Sequence, residues 1–240
     1  MDLTNLEMLA ALSAVFAGAL VQGTIGFGLA VVAAPVLFVI EPELVPGSLI
    51  TMAMLTGLLT ALRYLGSLQV ADLKYAVLGR VPGSIVGAGL LAVASAQAMS
   101  LFLGICVLLA VAASLSQYKL QATPKTLMSA GFLSGVMGTT SGIGGPPMAL
   151  VMQNQSGDKI RAQLSAYFVI SCLVSLVILR VSGQLDWWHV KNAAFMVPAV
   201  LAGLWVAGRI AHRINQVLMR RALLVICSVA GTSAIVNAML

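Results

Sequence analysis

The sequence predicts an all-α integral membrane protein built of two inverted repeats, each a broken, re-entrant helical hairpin followed by three transmembrane helices. Hydrophobic residues make up 60% of the 240 residues, charged residues only 8%, and the mean hydropathy is +1.03. Soluble domains carry about a quarter charged residues. Two glycine-rich segments, Gly23–Gly28 and Thr139–Pro147, interrupt the apolar pattern 116 residues apart, which is nearly half the chain.

The uncharged stretches set the number of membrane segments. Since a spanning helix needs about 20 apolar residues, four of these stretches hold one span each and three hold two segments. In chain order they cover residues 8–40, 44–62, 81–118, 126–157, 162–179, 192–208 and 222–240.

The first stretch predicts a hairpin rather than a single span. As one helix, residues 8–40 would extend about 50 Å at 1.5 Å per residue, against a hydrocarbon core of about 30 Å. The glycine segment is therefore expected to turn the chain back, so that residues 6–22 and 28–40 form the two arms. The acidic leader, with Asp2 and Glu7, is unlike a cleaved signal peptide, so we treat this hairpin as mature structure.

Three spans are expected to follow each hairpin. In the first half they cover about 45–63, 75–95 and 98–117. The second half begins with a hairpin at about 126–153 and continues with spans at about 162–180, 190–208 and 221–239.

Self-similarity supports an internal duplication. A shift of 116 residues places Thr24 on Thr140, Gly26 on Gly142, Gly28 on Gly144, Pro82 on Pro198 and Gly87 on Gly203. The repeats are residues 1–118 and 126–240, with a linker at 119–125. We expect one transporter domain, 1–240, because neither half could close a polar pathway alone.

The charge distribution predicts opposite orientations for the two halves. If each break forms a hairpin, 11 of the 13 basic residues lie on one side of the membrane. If each break is instead part of one continuous span, the basic residues other than Arg80 divide six to six between the two sides. The positive-inside rule favours the hairpins and places both termini outside the cytoplasm. The eleven are Arg63, Lys74, Arg80, Lys119, Lys125, Lys159, Arg161, Arg209, Arg213, Arg220 and Arg221.

The two breaks are candidate anion sites. Helix N-termini present unpaired N–H groups and the positive end of the helix dipole, and broken backbone at membrane depth usually lines a cavity. Alternatively, the glycines only permit a tight turn, the hydroxyls satisfy its backbone and the glutamines cap helix ends. The candidates are Gly26, Gly28, Gly142, Gly144 and Gly145 for the backbone, Thr24, Thr139, Thr140 and Ser141 for hydroxyls, and Gln22 and Gln153 for amides.

Arg80 is the remaining candidate, because it follows Lys74 by six residues and is expected one to two turns inside the bilayer. Intramembrane charges are functional candidates. The competing account is that the side chain snorkels to the cytoplasmic surface, and its position slightly favours that account.

Other chemistries are not indicated. Cys106, Cys172 and Cys227 have no metal-ligand spacing, and we expect no metal, no cofactor and no enzyme activity. The net charge of +6 is dispersed between apolar segments, so no nucleic-acid partner is expected. The expected partners are the lipid bilayer and a small anion; the spans contain no carboxylate relay for a coupling proton.

The segment Gly138–Pro147, the earlier glycine break and the two-fold repeat together resemble the TauE/SafE family of sulfite exporters, also called TSUP. The resemblance covers essentially the whole chain. It implies a secondary permease of the bacterial inner membrane that carries sulfite, sulfonates such as sulfoacetate, or related anions.

Three functions are compatible with these features. The leading hypothesis is a secondary anion carrier that works by alternating access between inverted halves. A passive anion channel and a noncatalytic membrane assembly or sensor protein are the alternatives. None of these needs a second copy of the chain to form the pathway.

Overall fold

The computed structural model describes residues 4–67, 73–115, 120–152 and 158–210, together with residues 225, 228, 229, 231, 232, 235 and 236. Every regular element within the four continuous ranges is helical. The helices are α1 (Asn5–Ile25), α2 (Leu29–Ile40), α3 (Gly47–Arg63), α4 (Leu73–Val93), α5 (Ala96–Leu115), α6 (Pro124–Ser141), α7 (Gly145–Met152), α8 (Asp158–Val181) and α9 (Trp187–Ile210). Short 3₁₀ turns cover Pro42–Leu44 and Leu65–Ser67.

The all-α membrane fold predicted from composition is confirmed. In the described part of the chain, four helices are long and apolar enough to cross a bilayer, namely α1, α4, α8 and α9. The predicted segments agree with the helices to within a few residues. The last predicted span, 221–239, lies largely outside the described residues.

Glycines end the first helix of each half. Gly26 (φ 101°) caps α1 and Gly142 (φ 79°) caps α6, each in the left-handed region where glycine is strongly favoured. The breaks are therefore shorter than predicted, covering only 26–28 and 142–144. Thr24, and Thr139 to Ser141, belong instead to the last turns of α1 and α6.

After each break the chain runs back along the helix it has just left. A Cβ placed on Gly18 would lie 2.7 Å from the carbonyl oxygen of Leu29, so α2 begins beside α1 about two turns before the end of α1. In the second half, the hydroxyl of Ser134 donates to the carbonyl of Gly144 at 2.5 Å, which places the start of α7 beside α6.

Helix boundaries in the two halves follow the 116-residue shift. Helices α1 and α6 end at Ile25 and Ser141, and α2 and α7 begin at Leu29 and Gly145. Pro82 and Pro198 lie inside the corresponding helices α4 and α9. The same helix order therefore occurs twice in the described residues, up to α5 in the first half and α9 in the second.

Helices α3 and α8, which are equivalent in the two halves, run in opposite directions. The end of α3 meets the start of α8, where Arg161 lies 5.8 Å from the ring centre of Tyr64. The start of α3 lies beyond the end of α8, since a Cβ on Gly47 would be 3.0 Å from Leu185. Continuous spans through the breaks would make α3 and α8 parallel, so this packing favours the hairpin topology.

The first helix of each half packs on the second of the transmembrane helices that follow the hairpin in the other half, α1 on α9 and α6 on α4. Gly203 of α9 lies against Phe16 and Ala19 of α1, while Gly83 of α4 lies against Phe132 of α6. Small residues allow such close approach where lipid provides no hydrophobic drive. The α4–α6 contact brings Arg80 beside the second break.

Candidate functional site

Both glycine breaks open onto one internal cavity with a volume of about 40 Å³. A single water needs about 10–15 Å³ on this scale, so the cavity has room for about three waters. Its lining comes from α3, α4, α6 and α8 as well as from the two breaks. The predicted site residues that line it are Gln22, Gly28, Arg80, Gly142, Gly144 and Gly145.

Arg80 provides the positive charge of this cavity. Its side chain is only 2% exposed, and one terminal nitrogen donates to the Ser134 carbonyl and to the Ser134 hydroxyl at 2.9 Å. The other donates to the Ser171 carbonyl at 3.4 Å and the Ser175 hydroxyl at 2.6 Å. The guanidinium is therefore held between α6 and α8, and the snorkelling account slightly favoured by the sequence does not describe it.

Ser134 connects Arg80 to the second break. Its hydroxyl accepts from Arg80 and from the Tyr167 hydroxyl, both at 2.9 Å, and donates to the carbonyl of Gly144. All the usual capacity of one hydroxyl is used. Tyr167 is fully buried, so this network fixes the guanidinium relative to the break.

Two glycines make the space that the guanidinium occupies. A Cβ on Gly138 would lie 2.7 and 2.8 Å from the two terminal nitrogens of Arg80, and one on Gly144 would lie 2.8 Å from the nearer nitrogen. Real Cβ atoms do not approach other atoms so closely. Glycine at 138 and 144 therefore leaves the guanidinium its position between α6 and the second break.

No carboxylate lies among the described residues that line the cavity, and Arg80 is the one charged side chain there. A hydrogen-bonded pair, Asp186 and His189, lies elsewhere, at the start of α9, with the Asp186 oxygen 2.6 Å from Nδ1 of the histidine. Hydrogen bonding from His189 lowers the pKa of Asp186 below its ordinary value. The guanidinium is thus surrounded by neutral oxygens alone.

The first break contributes differently from the second. The side-chain oxygen of Gln22 accepts a hydrogen bond from the N–H of Leu29 at 3.2 Å, which satisfies one donor in the first turn of α2. Met196, the residue 116 positions after Arg80, is an uncharged side chain that is 1% exposed. The charge of the cavity therefore comes from one half only.

The predicted hydroxyls serve the helices rather than the cavity wall. Thr24, Thr140 and Ser141 donate to carbonyls one turn earlier, and Thr140 also donates to Gly87. Thr139 shares a 2.7 Å hydrogen bond with Ser175, behind Arg80. Gly26 lies beside Arg161 and does not line the cavity, and Gln153 lies outside the described residues.

Sequence reasoning missed the side chains that complete the site. Ser134, Tyr167, Ser171 and Ser175 come from α6 and α8, and their contacts with Arg80 or Ser134 bridge 33 to 95 residues of sequence. Phe27 and Phe168 also line the cavity. The sequence offered one signal, the three serines within the apolar α8, two of which bond to Arg80.

Comparison with known proteins agrees with these features. The family model described as sulfite exporter TauE/SafE matches residues 10–234. Neither the search of curated proteins nor the search of solved structures found a match. The match begins within α1 and extends over both breaks, the cavity lining and the other eight helices of the described ranges, and the chain belongs to the sulfite exporter TauE/SafE family of membrane transporters.

Proposed function

We propose that this protein is a secondary carrier of small anions, with sulfite, sulfonates and sulfoacetate as the candidate substrates, and that Arg80 binds the anion in the cavity between the two breaks. The observation that supports this proposal is the environment of Arg80. Its side chain is 2% exposed, lines the cavity and has only neutral hydrogen-bond partners there. A buried charge without a counter-ion is costly. An anion in the cavity removes this cost.

The helix ends at the cavity add to the attraction. Helices α2 and α7 both begin there, each with the positive end of its dipole toward the same space. Pro146 and Pro147 have no N–H, so in α7 the Gly145 N–H and the dipole remain. The Arg80 charge is therefore the largest contribution, and the breaks supplement it.

Opposed halves give this site access to both sides of a membrane. Helices α3 and α8 cross in opposite directions, and the cavity lies between elements of both halves. Rocking of one half against the other exposes such a site alternately, as in other inverted-repeat carriers. We place the protein in a bacterial inner membrane, with both termini on the non-cytoplasmic side.

Counterflow in liposomes tests the proposal. Labelled sulfite or methanesulfonate should accumulate against excess unlabelled anion, and Arg80→Gln should lower the initial rate at least tenfold. Arg80→Lys should restore only part of the lost transport rate, since an ammonium group cannot reproduce the four fixed hydrogen bonds of the guanidinium. Lys74→Gln removes an exposed positive charge from the same helix and should leave the rate within twofold.

Three outcomes contradict the proposal. Uncoupled flux that does not saturate would indicate a channel, and the absence of flux for every anion would indicate an assembly or sensor protein. Equal transport rates for Arg80→Gln and the wild type would show that Arg80 does not bind the anion.

A further inference from the structure

We infer that an arginine cluster formed by Arg63, Arg161 and Arg209 binds the headgroup of an acidic phospholipid where the two halves of the protein meet. The three arginines do not line the cavity, and the proposed function does not use them. The meeting of three helix ends, the open donors of two guanidinium groups and the apolar side chains beside them support this site.

Helices of both halves bring the cluster together. Arg63 is the last residue of α3, Arg161 lies in the first turn of α8, and Arg209 lies in the last turn of α9. One terminal nitrogen of Arg63 donates to the Gly208 carbonyl at 3.3 Å, and a Cβ on Gly208 would lie 2.5 Å from the other terminal nitrogen. Glycine at 208 therefore lets the Arg63 side chain lie directly on the end of α9.

Two aromatic rings hold the other arginines at the same place. The Tyr64 ring centre lies 5.8 Å from the guanidinium carbon of Arg63 and 5.8 Å from that of Arg161. The guanidinium carbon of Arg209 lies 3.3 Å from the ring centre of Trp205. Because residues three apart share a face of a helix, Trp205 and the arginine stacked on it lie beside Gly208 and thus beside Arg63.

This region is positive even when the helix ends are counted. Lys159 adds a fourth basic residue and Asp158 adds one acid, both at the start of α8. The ends of α3 and α9 and the start of α8 together contribute about half a negative charge. The excess is therefore about two and a half positive charges. A bound phosphodiester, with its one negative charge, reduces the repulsion among the arginines.

Arg63 and Arg209 keep N–H groups for a ligand. Both side chains are exposed, and within the described ranges neither forms an ion pair with a carboxylate. Stacking on Trp205 occupies the face of the Arg209 guanidinium and leaves the N–H groups along its edge. Such planar edges match the oxygens of a phosphate group.

Exposed apolar side chains continue from the cluster along α3 and α9. Trp205 is 62% exposed, and Leu62 and Leu201 are exposed as well. In a membrane, these side chains face acyl chains, while arginines at helix ends reach the headgroups. A free phosphate ion would use the arginines alone, whereas a phospholipid uses both features. The charge distribution predicts that this side is cytoplasmic, and cytoplasmic leaflets contain acidic lipids.

Native mass spectrometry of the purified full-length protein tests this inference. The protein is titrated with phosphatidylglycerol and with phosphatidylcholine that has the same acyl chains but no net charge. Phosphatidylglycerol should bind at least tenfold more tightly, since each basic residue near an anionic headgroup contributes about fivefold. A hundredfold excess of glycerol 3-phosphate, which has the phosphate without the acyl chains, should not displace the lipid.

Variants locate the site. Arg63→Gln combined with Arg209→Gln should lower the preference for phosphatidylglycerol at least fivefold, and Arg209→Gln alone at least twofold. The single variant leaves the Arg63 contact with Gly208 in place, so it tests the site without disturbing the packing of α3 on α9. Lys191→Gln removes an exposed positive charge from the opposite end of α9 and should leave the preference within twofold.

Three outcomes would overturn the inference. Equal affinity for the two lipids would show that the headgroup charge is not recognised. An equal loss of preference in Lys191→Gln and in the double variant would show that only the overall charge of the protein attracts the lipid. Displacement of the lipid by glycerol 3-phosphate would identify a site for free phosphate compounds instead. These results do not depend on whether the protein transports anions.

Discussion

At the scale of single residues, the site depends on the fit between Arg80 and Gly138. The guanidinium reaches Ser134 and Ser175 because the face of α6 at Gly138 carries no side chain. Helix propensity would favour alanine here by up to about 1 kcal/mol. The glycine is therefore explained by the space that the arginine needs.

Gly138→Ala should lower anion affinity at least tenfold while the protein still folds. The added methyl group would lie within 2.8 Å of both terminal nitrogens, so the guanidinium must shift and its hydrogen bonds to Ser134 and Ser175 are disturbed. Calorimetric titration with methanesulfonate measures the effect. Gly66→Ala, where a Cβ meets nothing within 4 Å, is the matched control, and an unchanged affinity in Gly138→Ala would contradict the proposed geometry.

The sequence identified Arg80 as a candidate but could not give its environment. Its partners come from α6 and α8, and no local pattern encodes contacts across 54 or 95 residues. The hydroxyls were overestimated for a local reason. Thr140 and Ser141 stand four residues after Val136 and Met137 in a helix, where threonine and serine readily donate to the carbonyl one turn back.

At the scale of helices, the α4–α6 contact holds the arginine beside the break. Gly79 and Gly83 of α4 face Gly131 and Gly135 of α6, and a Cβ on any of them would overlap the backbone of the other helix. The two backbones are thus in direct contact along three turns. Arg80 lies within this contact and reaches across it to Ser134.

Gly83→Ala should destabilise the protein by about 1–3 kcal/mol, since its Cβ would overlap the carbonyl of Phe132 and the helices must separate. Gly89→Ala changes the same residue type on the same helix, where nothing lies within 4 Å, and should be neutral or slightly stabilising. Thermal denaturation in detergent compares the two variants. Equal melting temperatures would show that the helices are not packed this tightly.

Helix boundaries were well predicted because glycine and proline act locally. The 116-residue shift, read mainly from glycines and prolines, coincides with the ends of α1 and α6 and the starts of α2 and α7. The packing of α1 on α9 and α6 on α4 had no comparable signal. Small residues are frequent in all of these helices, so sequence alone did not select the pairs.

At the scale of the whole molecule, the antiparallel packing of α3 and α8 agrees with the charge count. Both favour two hairpins, and in the charge count each half then crosses the membrane an odd number of times. Arg63, Arg161 and Arg209 lie at helix ends that meet, since Arg63 donates to Gly208 and Arg161 stacks on Tyr64. The sequence predicted this side as cytoplasmic.

Reporter fusions at both termini should report a non-cytoplasmic location. Alkaline phosphatase fused after Leu240 should be active, and a fluorescent protein that matures only in the cytoplasm should stay dark. The same reporters inserted between Gln121 and Thr123 should give the opposite result. The orientation would be the reverse of the predicted one if the fluorescent protein were dark at this insertion or fluorescent at the C-terminus.

Only one of the two repeats contributes a charged side chain to the cavity, and this asymmetry has a kinetic consequence. The 116-residue shift relates Arg80 to the uncharged, buried Met196, so in the proposed carrier the outward-facing and inward-facing forms are different binding sites rather than symmetry-related copies. Half-saturation on the two faces of the membrane will differ, and so will the corresponding maximal rates. The Haldane relation still ties these constants together, so the asymmetry sets how fast each face loads, while the anion gradient alone decides the direction of net flow.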